Sequence, residues 1–367
     1  MHARPKPGLS HDYRALIHPA GARFVEVLDQ RALPHAVVTL RIDDAGAATA
    51  AIREMVVRGA PLIGAVGAFG LALALDADPS DAGLAQAHSM LDAARPTAVN
   101  LRWALDRVHA RVADLPNAER AHAAWEEADA ISAEDIEINA AIGRHGLAWL
   151  RDLATRKDGV LNVMTHCNAG ALATCGLGTA TAPLFLAHSE GLALHVFVSE
   201  TRPRLQGANL TAWELSQHGI PHTLFVDGAS ALLMRRGDVD VVIVGADRVA
   251  ANGDVCNKIG TYGKALAATD NAIPFFVALP SPTIDWELAS GDAIPIESRA
   301  ADEVLHIAGR DHHGAASRVT IATRGTAAVN FAFDVTPARL VTGYITERGI
   351  AVGADALRDM HRSGNDR

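Results

Sequence analysis

Two side chains able to move protons stand at the ends of apolar runs. Cys167 follows VLNVM in the stretch THCNAGALATCGLGTA, from Thr165 to Ala180. Asp247 follows VDVVIV, a run in which Asp240 alone is polar. A carboxylate at the edge of such a strand loses solvent, and desolvation favours its protonated form. A neutral carboxyl near pH 7 can act as a general acid, although a helix cap or a partner for Arg248 is an equally open role for Asp247. A cysteine where a strand gives way to a helix has its thiol pKa lowered by the helix N-terminus and raised by apolar surroundings. The alternative for Cys167 is that of a small buried hydrophobe. Cys175, set among Ala, Leu and Gly in the expected following helix, reads as core, and Cys256 as packing beside the site.

Four clusters supply positive charge and donors. RGAPLIG joins Arg58 and Gly59 to a helix start at Ala60, the arrangement of a phosphate cradle. ARPTAVNL puts Arg95 just before a helix start marked by Pro96. SETRPRLQGANLTAWEL carries Glu200, Arg202, Arg204 and Gln206, the last suited to sugar hydroxyls. NKIGT sets Asn257 and Lys258 next to the Asp247 loop. Surface arginines are usually solvated, so each cluster is weak alone; together they describe a site for a small phosphorylated, hydroxylated molecule.

Several chemistries find no support. No G-x-G-x-x-G follows a strand and no G-x-x-x-x-G-K-[ST] occurs, so neither nucleotide fingerprint is present. His312-His313 lacks zinc-ligand spacing and reads as a solvated loop, and no serine stands in a G-x-S-x-G elbow. No metal and no cofactor is expected. The formal charge of −9 argues against a nucleic-acid partner, while a few arginines in a cleft can still attract an anionic substrate.

These residues need a frame. At 367 residues two domains are the natural expectation. DYRALIHP, RFVEVLDQ and HAVVTLRI read as strands. Helical segments follow from Asp43 to Gly59, through the buried IGAVGAFGLALAL, and over 85–94, 99–115 and 118–154. After Asp158 the runs VLNVMTH, ALHVFVSE, HTLFVD, VDVVIVGAD and PFFVALP are continuous rather than alternating, the mark of strands covered on both faces. The expected fold is α/β: a smaller, mostly helical N-terminal domain with a few strands over 1–140, and a Rossmann-like, mainly parallel domain over 141–367. Ligands of such sheets bind outside the carboxyl ends of the strands. Those ends are Thr165–Cys167, Ser199–Arg202, Asp227, Gly245–Arg248 and Pro280–Thr283, where the informative polar residues fall, with the site at the domain interface. Three cysteines with no C-x-x-C pair fit a reducing cytoplasm. MHARPKPGLS lacks the apolar core of a signal peptide, no apolar run is long enough to span a bilayer, and SGNDR reads as a frayed tail.

The quoted motifs, with IVGADRVAANGDVCNKIGTY and PFFVALPSPTIDWELASGDAIPIE, span roughly residues 50 to 300. The chain resembles the S-methyl-5-thioribose-1-phosphate isomerase family of methionine salvage, related to regulatory subunits of the translation-initiation exchange factor. The resemblance implies isomerisation of the aldose 1-phosphate to the ketose 1-phosphate by a cofactor-free homodimer. It places the general acid on Asp247, the base or transition-state group on Cys167, and substrate binding on Arg58, Gly59, Ala60, Arg95, Gln206, Asn257 and Lys258. Ser199-Glu200 stands where many members have Asp-Glu, and Cys175 and Cys256 stand where small residues are common. The segment around GRDHHGAASRVTIATRG follows the pattern only loosely. Those departures leave open a 5-deoxyribose 1-phosphate or another pentose phosphate as substrate, and a non-catalytic sugar-phosphate-binding subunit as the rival of another class.

Overall fold

The computed structural model describes residues 13–95 and 98–362. Pro96, expected to break a helix, the N-terminal MHARPKPGLS and the tail SGNDR lie outside the described residues.

The chain opens with an antiparallel sheet of β1 (Leu16–Ile17), β2 (Val25–Leu28) and β3 (Thr39–Ile42). Five helices follow: α1 (Ala45–Arg53), α2 (Ala60–Ala77), α3 (Asp81–Asp92), α4 (Val99–Val112) and α5 (Asn117–Thr155). Asp44 and Ser80 cap α1 and α3 by accepting the amides of Ala47 and Gly83. The helix expected to run to Gly59 stops at Arg53. Met55 takes a left-handed φ of 59°, and the Val57 amide turns back onto the Ala51 carbonyl. Val56 and Val57 then pack into the first core, and Arg58 reaches Asn168.

Helix α2 is the one described helix long and apolar enough to cross a membrane, and 78% of it is buried inside the fold. It is the axle of the first core, with α1, α3, α4 and α5 around it. A side chain at Gly70 would meet Ala48 at 2.8 Å and Leu91 at 2.9 Å. Glycine costs helix stability of about 1 kcal/mol relative to alanine, and here it permits that close approach.

The large sheet has seven strands in the order β16-β15-β10-β7-β4-β5-β6. Those running parallel are β4 (Leu161–Thr165), β5 (Leu194–Ser199), β6 (His222–Phe225), β7 (Val241–Val244), β10 (Phe275–Ala278) and β15 (Gly343–Thr346). The edge strand β16 (Gly349–Ala351) runs antiparallel to β15. Alternate residues of one strand enter different cores. Val241 and Ile243 pack on the face covered by α5 and α6 (Ala182–Ser189), and Val242 and Val244 on the face covered by α8 (Ser230–Arg235) and α9 (Thr261–Asp270). Burial on both faces is why these runs are apolar without alternation.

A second, four-stranded sheet was not anticipated. It runs β11-β8-β9-β14, from β8 (Arg248–Ala250), β9 (Val255–Lys258), β11 (Ile284–Asp285) and β14 (Phe333–Thr336). An exposed hairpin of β12 (His306–Arg310) and β13 (Ala316–Thr320) carries His312 and His313 at its turn, solvated as expected. Helix α5 belongs to both halves: Ile131 closes the first core and Ile142 opens the second.

Candidate active site

The chain after Cys167 departs from expectation. No α-helix starts there; Ala171–Ala173 form one 3-10 turn, and α6 begins only at Ala182. The loop's amides are claimed by side chains instead. Ala171 donates to Glu214, Cys175 to Asp135, and Gly176 and Gly178 to Thr174. The helix expected directly after Cys167 is therefore absent, and Cys175 lies in a half-buried turn against the first core rather than in a helix.

Cys167 itself takes φ 61°, a conformation costly for a residue with a side chain. Two threonines hold it there. The Cys167 amide donates to the Thr201 hydroxyl at 2.9 Å, and the Thr211 hydroxyl donates to the Cys167 carbonyl at 2.6 Å. Next to it, His166 is fully buried, with Nε2 2.8 Å from the Ile259 carbonyl. Burial and the Lys264 ammonium push its pKa down to about 3, so it is a neutral donor to that carbonyl. Asp227 fastens the neighbouring strand end, taking the Ser199 hydroxyl at 2.5 Å and the amides of Thr201 and Arg202. Against the burial that raises it, these bonds and Lys264 hold its carboxyl below the usual range.

Three adjoining hollows share their walls. One is lined by Arg58, Gly59, Ala60, Cys167, Asp247 and Asn257, among others. A second shares Ala60 and Asp247 with it and adds Arg95 and Cys256. A third, of about 280 Å³, shares Arg58 and adds Gln206 and Arg204. Glycines bring these walls together: a Cβ on Gly59, at φ 97°, would lie 2.5 Å from Ala173, and one on Gly245 would lie 2.6 Å from Ala169.

The expected residues thus converge. Asp247 follows β7 and is half-buried, its amide tied to the Cys256 carbonyl at 2.9 Å. Lys258 is buried on β9, donating to the Ala332 carbonyl at 2.8 Å and lying 4.5 Å from the centre of the Phe333 ring. Burial pushes its pKa down, Cys167 and Asp247 pull it up, and Arg95 and Arg58 push it down again. Lys258 therefore senses Cys167, Asp247 and both arginines. Burial likewise pushes Arg95 down, against Glu297, whose carboxylate is 3.7 Å away, and Asp247. Asn257 is buried and bonded to Thr261. The Gln206 Oε1 is buried with no hydrogen-bond partner among the described residues.

Sequence reasoning passed over Asn168, Thr201, Thr211, Asp227 and Glu214. All but Asp227 stood inside motifs already singled out, and Asp227 was noted as a strand end. Their types did not reveal them, because each acts on backbone or on another side chain.

The initiation factor 2 subunit family matches residues 56–352. The methylthioribose-1-phosphate isomerase of Rhodospirillum rubrum is 57% identical over 339 residues, covering 90% of this chain and 87% of that protein. The enzyme of the same name from Rhizobium meliloti is 54% identical over 349 residues, covering 94% of this chain and 96% of its own. Among solved structures, 5-methylthioribose 1-phosphate isomerase from Pyrococcus horikoshii OT3 superimposes with a TM-score of 0.82 at 38% identity, covering 99% of this chain and 100% of that one. The delta subunit of translation initiation factor eIF-2B from A. fulgidus gives 0.75 at 34% identity, covering 92% and 96%. By matched length and by identity, the chain belongs to the initiation factor 2 subunit family and, within it, to the methylthioribose-1-phosphate isomerases.

Proposed function

We propose that this protein converts S-methyl-5-thio-α-D-ribose 1-phosphate to S-methyl-5-thio-D-ribulose 1-phosphate, in a Rossmann-like catalytic domain working as a homodimer. The observation that carries this reading is the convergence of Cys167, Asp247, Arg58 and Arg95 on one set of adjoining hollows at strand ends, with the Lys258 ammonium within electrostatic reach of all four.

The substrate's chemistry explains the residues. Phosphate on the anomeric oxygen prevents spontaneous opening to a free aldehyde. The ring oxygen must therefore take a proton, and Asp247 supplies it as the C1–O4 bond breaks. Hydrogen then passes from C2 to C1, and the proton leaving the C2 hydroxyl restores the Asp247 carboxyl. Two routes satisfy this balance. Cys167 as thiolate removes the C2 proton and returns it to C1, or the C2 hydrogen crosses as hydride while the sulfur stabilises the cationic C1. Arg58, Arg95, Lys258 and the Gly59–Ala60 amides at the start of α2 hold the phosphate, which aligns C1 and C2 with the acid. Gln206 takes a sugar hydroxyl and Asn257 a further polar contact.

Purified protein assayed on aldose 1-phosphates differing only at C5 tests the proposal; the methylthio sugar is expected to give the highest kcat/KM. Higher kcat/KM on the 5-deoxy sugar would reassign the substrate, and no turnover on any would favour a binding subunit. In heavy water, deuterium at C1 of the product marks the proton route, the Cys167 proton having exchanged with solvent before delivery.

A further inference from the structure

Glu214, on α7 (Ala212–Gln217), is a carboxylate with no exposed surface. None of the chemistry above uses it. It nevertheless lies one side chain away from Arg58. The Asn168 side-chain amide donates to Glu214 Oε1 at 2.6 Å and to the Thr211 hydroxyl at 3.1 Å. Both amide hydrogens are thereby spent on acceptors, which leaves the Asn168 Oδ1 facing the other way. There it receives Arg58 Nη1 at 2.5 Å, while the Asn168 carbonyl receives Arg58 Nη2 at 2.6 Å. The guanidinium is gripped at two nitrogens by one residue, and the orientation of that residue is set by the buried acid.

The other Glu214 oxygen gathers the loop. Oε2 accepts the Ala171 amide at 2.7 Å, and Oε1 also takes the Leu172 amide at 3.4 Å. The carboxylate packs directly on the Gly170 backbone, where a Cβ would stand 2.5 Å from both of its oxygens. Tyr13 faces the same carboxylate, and burial together with Glu214 raises its phenol pKa. Every donor here needs a lone pair, which is the demand an ionised carboxylate meets. The Asn168, Leu172 and Ala171 donors, with the Arg58 charge, oppose the burial that pushes the Glu214 pKa up to about 7.

We infer that Glu214 is a positioning residue: it fixes the Asn168 amide and, through it, aims the Arg58 guanidinium at the substrate phosphate. This rests on the reading of Arg58 as a phosphate ligand. In Glu214→Gln one oxygen becomes an amide. Whichever way that amide turns, a donor meets a donor, at Asn168 or at Ala171.

The test is a double-mutant cycle on steady-state turnover of the aldose 1-phosphate, with Glu214→Gln, Arg58→Ala and the pair. Glu214→Gln is expected to raise KM about tenfold with kcat within about twofold, the split expected when ground-state binding is lost. Arg58→Ala should raise KM at least as much, and the pair should be no worse than Arg58→Ala alone. Additive effects, or a Glu214→Gln enzyme with unchanged KM, would overturn the inference while leaving Arg58 in place. An unchanged KM in Arg58→Ala would overturn the phosphate reading and the inference with it. Glu214→Asp, which keeps the charge and both oxygens, carries the same comparison with the same signs if the glutamine variant does not fold.

Discussion

The inner and outer walls of the site are held by opposite means. The inner turn, from His166 to Leu172, is fixed by buried hydrogen bonds to Thr201, Thr211, Glu214 and the Ile259 carbonyl. The outer wall, from Glu297 to Asn330, is tied by half-buried charges, Arg299 to Glu297 and Glu303 and Arg204 to Glu303, with the buried Asn330 amide also on Glu303. Its hairpin reaches the N-terminal part of the chain through the Arg310 guanidinium on the His35 carbonyl. Salt screens charges left partly open to solvent more than it weakens buried, mostly neutral bonds. The difference teaches that, in the proposed reaction, the geometry around Cys167 rests on buried hydrogen bonds, while the side next to the 280 Å³ hollow rests on charge.

Substitutions can break that division. The largest effect is expected at the centre. Asp247→Asn should lower kcat about 10³-fold with fold and KM retained, measured by steady-state kinetics and circular dichroism. A near-normal kcat would remove Asp247 from the acid role. Cys167→Ser on the inner wall should lower kcat about 100-fold and move KM less; a change in KM alone would make it a packing residue. Gly59→Ala forces a side chain into Ala173 at positive φ, and about 2 kcal/mol of stability should be lost in urea unfolding. On the outer wall, Glu303→Gln should raise KM only about threefold, and its KM should rise less with added salt than that of the unmodified protein. An equal salt response would erase the contrast between the walls.

The outer wall also has the simpler pH signature. Against the burial that raises it, Arg299, Arg204 and Asn330 hold the Glu303 carboxyl at about 2, below its ordinary 4.5. Its contribution to stability is thus fully present above pH 4.5 and is lost as pH falls towards 2. Thermal melts over that window should show a smaller decline for Glu303→Gln than for the unmodified protein.

How far the sequence was legible follows from the kind of force involved. The parallel strands were readable because burial on both faces leaves a continuous apolar run, as in VVIV of β7. Asp247 stood out because it follows such a run at a strand end, and Asn257 and Lys258 because they add donors and charge beside its loop. The turn after Cys167 was read as a helix start because a small, glycine-rich run follows an apolar strand there; the carboxylates of Glu214 and Asp135 that claim its amides come from distant helices. Glu214 was hidden for the same reason. In LTAWELSQHG an acid three residues into a helix reads as a solvated face, and only the tertiary fold reveals it under the site. The early end of α1 depended on a left-handed Met55, a residue type that gives no hint of that conformation.

Helix α5 runs unbroken for 39 residues, with Ile131 packed into one core and Ile142 into the other. A shared rod couples the fates of the two halves. Melting either one strips apolar cover from a segment on which its neighbour also leans, so heat should dismantle the molecule in one concerted step rather than in two.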